Sequence, residues 1–430
     1  MLVLLVLRRI YIALRGLRFR ERTEAEISPS DLARIDACWV AASTMGMVDA
    51  IRGAYFQSLH LILALRAGEP RRVFRALSAE VIFLAIPGTR GRGRAARLAH
   101  SLEGMAERLT PLPKTSNRQW WHAPTAAHAR GYASAAACLE GHWRLAVDLA
   151  ERSEREAREI PYALDVWALH QMRLFALTSL AYLGRLVELH RLVPLRLREA
   201  EERGDHAATT DLRSGSQTLA WLCVDDVEGA RGQVAKAIRE WPIVGFHIQH
   251  FRHLLAQVQI ALYAGESDEA MRLVNARWGD LHRSTTHRIQ LVRIIALDLR
   301  GRAALAAART NAPKNAGERP ALLRLARRQA AALEREKAHW ANPLAALLGG
   351  LERIARDDTE GAITSLRSAI AGFDAAEMAL HAWAARRRLA ELVTRDESEP
   401  LLAAADGWSE RERIANPARL LSMVAPGSSD

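Results

Sequence analysis

Three histidines at three-residue intervals form the most chemically suggestive pattern in the chain. His247, His250 and His253 lie in and just after the run GFHIQHF, with Gln249 between the first two. Histidines at this spacing on a helix share one side and can bind a metal ion together, although zinc sites usually add a carboxylate or thiolate, and this run has neither. The same helix must also present Phe251 to a core. We therefore predict no metal site, and we interpret His247, Gln249 and His250 as polar residues of an inner groove or of a helix start.

A pair of adjacent tryptophans is the second candidate binding feature. Trp120 and Trp121 are flanked by Arg118 and His122, a combination that can stack on bases or hold a peptide. Adjacent residues of a helix cannot both face inward, so one of the two is expected to be partly exposed. Tryptophan is buried on average, and packing against a neighbouring helix pair is the favoured interpretation.

A third candidate is the acidic and basic pair Asp49 and Arg52 in the run MVDAIRG. The two side chains can form a local ion pair at a helix end, and Gly53 is expected to break the helix there. Capping of that helix end is favoured over a binding role.

No arrangement typical of an enzyme is visible. Lys114 and Thr115 form the Lys-Thr pair of a phosphate-binding loop, but Arg108 and Pro113 stand where glycines would be required. No kinase catalytic loop or Asp-Phe-Gly triplet occurs. We therefore predict a protein without catalytic or cofactor-binding residues.

The composition is that of a globular protein with a basic surface. The chain has 430 residues and a formal charge of +11, and only four of its basic residues are lysines. A nucleic-acid partner is one interpretation, since basic surfaces attract phosphates, but the arginines are dispersed among glutamates and not collected in one block. Cys38, Cys138 and Cys223 are far apart and odd in number, which favours a reducing cytoplasm over a disulfide framework.

The first residues are apolar but do not form a targeting or membrane segment. Met1 to Leu7 are followed at once by Arg8 and Arg9, whereas a signal peptide has its charges first and a membrane helix needs ~20 apolar residues. We predict an amphipathic helix that packs on a preceding segment or on the first helix pair. Contact with an anionic membrane surface, through arginines at 8, 9, 15, 18 and 20, is the less favoured alternative.

Helical periodicity interrupted by turn signals predicts helix pairs along most of the chain. The clearest pairs occupy 218–278, with turns at Asp225 and Asp226 and at Gly265, and a later pair turns at Asp357 and Asp358. We predict an all-α, tetratricopeptide-like superhelical solenoid of degenerate antiparallel hairpins. The expected divisions are an N-terminal amphipathic helix and linker (1–26), a helical-repeat solenoid (27–310), a linker (311–319), C-terminal helical repeats (320–416) and a flexible tail (417–430).

A small or apolar residue near the turn recurs on the second helix of each clear pair. Its intervals fit steps of about 36 to 46 residues, longer than the ~34 of standard tetratricopeptide repeats. The residues are Val73, Ala146, Ala230, Ala270 and Ala362.

Several whole segments resemble the C-terminal helical region of large multidomain bacterial serine/threonine protein kinases, chiefly of myxobacterial type. The resemblance implies that a kinase domain and a nucleotide-binding ATPase module precede such a region, and none of their catalytic residues can be placed on this sequence. The segments are EISPSDLARIDACW (26–39), the run 47–80, GFHIQHF (245–251), the run 288–308 and ANPARLLSMVAPG (415–427).

These observations predict a non-catalytic scaffold or sensory region of a bacterial serine/threonine kinase signalling system. Its expected partner is a protein, such as a kinase or regulator, held in the groove of the solenoid, and no cofactor is expected. One alternative is a fragment of a kinase or ATPase whose catalytic domains are absent from this chain. The other is a nucleic-acid-associated regulator, for which no helix-turn-helix reader is recognisable.

Overall fold

The chain is an all-α protein whose helices pack as sequential antiparallel pairs, consistent with a helical repeat array. A computed structural model describes residues 1–48, 50–91, 93–109, 125–159, 166–241, 245–310 and 318–427. Within these residues there are twenty-one α-helices and four short 3₁₀ segments, and no β-strand. None of the described helices is both long enough and apolar enough to cross a lipid bilayer. The residues divide into two compact units, Met1–Ala176 and Leu177–Asp430.

Unit 1 consists of helices that follow one another in contact along the chain. Its helices are α1 (Leu2–Arg15), α2 (Pro29–Val48), α3 (Ala50–Ala67), α4 (Pro70–Ala85), α5 (Arg94–Leu109), α6 (Ala126–Glu140), α7 (Trp143–Glu159) and the first part of α8 (Val166–Leu183). Helix α1 packs on α3 and buries Ile12, while Val3, Leu7, Ile10 and Leu14 on its other side are exposed.

Helices α2 and α3 approach each other closely because two glycines face one another. A Cβ atom on Gly53 would overlap the backbone of Gly46, so this contact requires a residue without a side chain. Gly53 therefore lies inside α3 and does not end a helix as the sequence predicts. The pair runs antiparallel, with α2 ending at Val48 and α3 beginning at Ala50.

Unit 2 contains the remaining helices, again mostly in successive pairs. They are α9 (Leu186–Glu202), α10 (His206–Leu212), α11 (Leu219–Leu222), α12 (Val227–Arg239), α13 (Ile248–Tyr263), α14 (Ser267–Arg283), α15 (Gln290–Thr310), α16 (Glu318–Glu336), α17 (Ala341–Ile354), α18 (Thr359–Ala375), α19 (Ala379–Ala390), α20 (Arg395–Arg411) and α21 (Pro417–Val424). The first helices α13, α15 and α17 also contact one another in succession, so they form one layer.

The small residues predicted to recur on the second helices occupy equivalent places. All five are 0% exposed. Each donates its backbone N–H to the carbonyl of the residue four positions earlier, at 3.0–3.1 Å, so each lies in the first turn of its helix, where a large side chain would separate the pair. The donor and acceptor residues are Val73 and Glu69, Ala146 and His142, Ala230 and Asp226, Ala270 and Glu266, and Ala362 and Asp358.

Two turns of unit 2 share one sequence pattern and one geometry. Asp225 and Asp357 each adopt a positive φ, of 62° and 61°, which leads the chain out of the preceding helix. The next residue of each turn, Asp226 or Asp358, caps the following helix by accepting a hydrogen bond from the N–H of a glycine three positions later. The two segments, DDVEGA (225–230) and DDTEGA (357–362), are therefore structural repeats.

The pair that precedes α13 is less regular than the sequence predicts. Its first helix is divided into α10, a 3₁₀ turn at Gly215–Thr218 and the four-residue α11. Gly215 has a positive φ of 70°, which no regular helix allows. The polar run between Thr209 and Thr218 is almost entirely buried, so its side chains compete with the helical hydrogen bonds.

Residues from the beginning and the end of unit 2 lie against each other. The ring of Tyr182 stacks on His381 at 5.9 Å between centroids, and the backbone N–H of Val187 donates to Glu412 at 3.0 Å. Helices from both ends of unit 2 are therefore in contact.

The C-terminal segment, residues Ala415–Gly427, differs most from expectation. Where the sequence predicts a flexible tail after Pro417, the chain forms α21 and buries Leu420, Leu421, Met423 and Val424. These apolar residues find their partners on helices distant in the chain, which the local pattern at a terminus does not reveal. The predicted linker at 311–319 lies mostly outside the described residues.

Candidate partner-binding face

One surface of unit 2 combines the first helices of three antiparallel pairs with several polar contacts between residues far apart in the chain. We define the first-helix face as the side of α13, α15 and α19 on which α21 lies. Each of these is the first helix of an antiparallel pair, and α21 contacts all three.

The histidine run forms the beginning of α13. Gly245 adopts a positive φ of 114°, and His247 then precedes the first helical residue. The backbone N–H of His247 donates to Nδ1 of His250 at 3.2 Å, and the two imidazole rings lie 5.9 Å apart. Arg277 from α14 lies over the ring of Phe246 at 5.1 Å. His247 and His250 therefore take part in the start of α13, and the neighbouring Phe246 contacts α14.

Burial and positive neighbours lower the pKa of two imidazoles near the start of α13, those of His250 and His253. Burial lowers the pKa of His253 to about 4, with further contributions from His250 and Arg277. The pKa of His250 is also lowered, first by burial and then by His247 and Arg277. Gln249, on the same turn, is 2% exposed. In the described part of the chain, no group of three or more histidine, cysteine or acidic side chains is placed to hold a metal ion.

Of the other candidates from the sequence, one lies among the described residues. Arg52 is an exposed residue of α3 in unit 1. Its predicted partner Asp49 lies outside the described residues, as do Trp120 and Trp121. The ion pair and the tryptophan site therefore stay predictions.

The contacts of two arginines of α1 argue against the alternative that this helix lies on an anionic membrane surface. Arg8 donates to the hydroxyl of Tyr55 at 3.2 Å, and Arg9 forms an ion pair at 2.8 Å with the buried carboxylate of Glu80. Both guanidinium groups are thus directed toward α3 and α4 and away from the exposed apolar side of the helix. Arg9 is already paired with a carboxylate, so it contributes less to attraction for an anionic lipid surface than an unpaired cation would.

Asp225 is a hub, although the sequence marks it only as a turn residue. Its carboxylate accepts hydrogen bonds from the hydroxyl of Tyr263 at 2.9 Å, from Asn416 at 3.2 Å and from Arg419 at 3.1 Å. Burial would raise the pKa of Asp225, but these three bonds outweigh it and hold the pKa below its ordinary value. One side chain therefore connects the turn before α12 with α13 and with the start of α21.

Three arginines bind the carbonyl groups at the other end of the C-terminal segment. Arg302 donates to the carbonyl of Met423 at 2.9 Å and Arg388 to that of Ala425 at 2.8 Å. Arg309 donates to the carbonyl of Gly427 at 3.2 Å. The last carbonyls of a helix lack partners within the helix and carry partial negative charge, so guanidinium groups suit this position.

Buried polar side chains surround one of these arginines, Arg302. Arg302 also bonds Asp298 at 2.8 Å, and both side chains are 6% exposed. Burial raises the pKa of Asp298, although Arg302 opposes the rise. His381 is buried as well, and its burial, assisted by Arg302, lowers its pKa to about 3.

Chemically, these side chains hold a helix at both of its ends. Cys223 is the cysteine beside the hub, and its carbonyl accepts a hydrogen bond from the N–H of Ala415. Burial raises the pKa of the Cys223 thiol to about 12, so little thiolate is present at neutral pH.

One sequence signal could have identified the docked segment. Asn416 followed by Pro417 is a helix start, and the Asn416 side chain accepts from the N–H of Arg419 at 3.2 Å. The apolar residues that follow at helical spacing are those that become buried.

No protein-family model and no curated protein matches this chain.

Proposed function

We propose that this chain is a non-catalytic scaffold, built as a tetratricopeptide-like superhelical array, that binds a protein partner on its first helices. The resemblance in sequence suggests a serine/threonine kinase signalling system of bacteria, with a kinase or a regulator as the partner. All three cysteines are buried thiols, which is consistent with a reducing cytoplasm.

The observation that carries the proposal is the repeated packing of the helix pairs. Equivalent small residues are buried in the first turn of each clear second helix, and the successive first helices α13, α15 and α17 share one layer. Helical repeats present such a layer as a continuous binding surface. The groove is the surface that a partner would contact, in keeping with the polar residues His247, Gln249 and His250 at the start of α13.

The charge distribution favours a protein over a nucleic acid. Although the chain is basic, its arginines bond acidic side chains within the helical array, as Arg293 does with Glu336 at 2.8 Å and Arg72 with Asp36 at 2.9 Å. Arginines already paired with carboxylates contribute less to phosphate binding, which depends on free cations and release of counterions.

Affinity purification of the tagged, nuclease-treated chain from its own cells tests the proposal. We expect one protein partner in stoichiometric amount, and no transfer of phosphate from ATP by the purified chain. In the double variant His247→Ala and His250→Ala, recovery should fall by about tenfold, the size of a typical hot-spot effect.

The matched control is His282→Ala, an exposed histidine of the second helix α14, which should leave recovery unchanged. Circular dichroism would verify that all variants fold. Equal recovery by the double variant and the control contradicts binding at α13. Recovery that disappears with nuclease treatment, or binding that weakens steeply with salt, favours the nucleic-acid alternative.

A further inference from the structure

The first-helix face of unit 2 already holds a helix, and that helix belongs to the chain itself. Residues Ala415–Gly427, here called the C-terminal segment, enter beside Cys223, run as α21 across α13, α15 and α19, and end at Arg309. The part of the proposed binding surface on α13 and α15 is therefore occupied in this structure.

We infer that the first-helix face is a docking site for a short amphipathic helix of a partner protein, and that the C-terminal segment is its resident, displaceable occupant. This inference rests on the proposed function and specifies what the partner presents. The partner helix carries apolar residues in the pattern of Leu420, Leu421, Met423 and Val424, with its last backbone carbonyls unpaired.

The contacts between the first-helix face and the C-terminal segment indicate which partner helices the face can bind. The apolar side chains of α21 are buried, which selects for a helix with one apolar side. Arg302, Arg309 and Arg388 bond backbone carbonyls of the C-terminal segment, so this part of the contact does not depend on the occupant's side chains. A different sequence that ends a helix at the same place can make the same three bonds.

The opposite end of the segment is held by contacts that are partly exposed. Arg419 keeps 49% of its side-chain surface exposed and Asp225 keeps 32%. Such an ion pair contributes little because water and salt screen it. The helix of the segment has only eight residues, which is too short to be stable by itself. Elements of this kind open first in local unfolding.

A comparison within the chain shows that the hub is specialised. The turn at Asp357 has the same sequence pattern and the same positive φ as the turn at Asp225. Of these two turns, it is the one at Asp225 whose carboxylate receives hydrogen bonds from the C-terminal segment. Both turns have the same local structure. The turn at Asp225 differs because it lies beside α13 and α21, where its carboxylate can bond the C-terminal segment.

Binding of a labelled peptide to the full-length chain tests the inference. The probe is a fluorescein-labelled peptide of Ala415–Gly427, followed by fluorescence anisotropy. In the chain variant Arg419→Ala with Leu420→Ala, the resident segment is weakened while Asp225 and the arginines of the face are unchanged. We expect the peptide to bind this variant at least about tenfold more tightly than the wild-type chain.

Two controls make the result specific. Arg367→Ala removes an exposed ion pair with Glu397 elsewhere in unit 2 and should leave peptide binding at the wild-type level. A peptide carrying the same two alanine substitutions should bind neither chain. Equal binding to the wild-type chain and to the double variant, or no binding to a folded double variant, overturns the inference.

Hydrogen exchange covers the case in which the double variant does not fold. In the wild-type chain, we expect the amides of Leu420 to Val424 to exchange about a hundredfold faster than those of α15, through local opening. If the amides of α21 exchange only when the whole of unit 2 unfolds, then α21 is a permanent part of the fold, and the inference is overturned. Peptide binding without a recovered protein partner would contradict the scaffold proposal alone, whereas a recovered partner without peptide binding would contradict the docking inference alone.

Discussion

Asp298 and Arg302 lie one turn apart on α15, and their buried ion pair at 2.8 Å stands directly beside the carbonyl of Met423. The guanidinium group thus bonds both its own helix and the C-terminal segment. Two charges in this position are costly to desolvate, so their effect on stability depends on keeping the pair together.

We expect Asp298→Leu to destabilise the protein by about 3–5 kcal/mol, because it leaves the guanidinium of Arg302 buried without its carboxylate. The double variant Asp298→Leu with Arg302→Met should be more stable than that single variant, since both charges are gone. Chemical denaturation of the wild type, both single variants and the double variant measures this coupling. Additive losses would show that the pair has no interaction energy.

The stability of the fold should fall as the solution becomes acidic, partly because of His381. Its pKa in the folded protein is about 3, whereas unfolded histidine titrates near ~6.5. The unfolded state therefore binds more protons between these pH values. The contribution of neutral His381 is fully present above pH ~6.5 and is lost as the pH falls toward 3, by about 1.4 kcal/mol per pH unit.

The variant His381→Phe should consequently lose less stability than the wild type, by about 2 kcal/mol between pH 7 and pH 5. Phenylalanine retains a ring between Tyr182 and Phe373, the aromatic neighbours of His381. The exposed His206 provides a control, and His206→Asn should keep the wild-type slope. Denaturant midpoints at several pH values measure the difference, and parallel slopes for His381→Phe and the wild type would contradict it.

Two glycines of α12 should respond in opposite directions to substitution by alanine. A Cβ atom on Gly229 would overlap the carboxylate of Asp226, which caps the helix. Gly229→Ala should therefore cost about 1–2 kcal/mol, the value of a lost N-cap bond.

Gly232 is the matched control because it lies in the same helix, and a Cβ atom there would meet no atom of the described residues within 4 Å. Gly232→Ala should stabilise the protein by about 0.5–1 kcal/mol through helix propensity. Thermal denaturation of the two variants distinguishes these effects. A loss of similar size at both positions would show that the cap at Asp226 is not responsible.

The native protein should resist thiol reagents. All three cysteines are buried, and the pKa of Cys223 near 12 leaves about a thousandfold less thiolate at pH 8 than an ordinary thiol would have. Ellman's reagent should titrate three thiols in denaturant and react far more slowly with the folded chain. Rapid modification of Cys223 in the folded state would contradict the packing around the hub.

The amino-acid sequence was sufficient to predict the class of the fold and much of its local geometry. Helical periodicity and turn residues predicted antiparallel helix pairs, and small residues such as Ala146 and Ala270 marked the first turns of second helices. These features depend on residues only a few positions apart, where hydrogen bonding and side-chain size act locally. The same local patterns wrongly predicted a helix break at Gly53, because they carry no sign that Gly46 faces this glycine from the neighbouring helix.

The tertiary structure alone decided what covers the first-helix face. Asp225 and Arg419 are separated by 194 residues, and no local pattern connects them. Nor does the sequence distinguish Asp225 from Asp357, since both begin the same turn. The turn at Asp225 bonds the C-terminal segment because the packing of unit 2 brings its last helix, α21, beside α13. Burial of Leu420 and its neighbours then stabilises a helix where the sequence predicts a flexible tail. The local sequence could not predict this helix, because many of the residues that bury it lie on helices more than a hundred residues away in the chain.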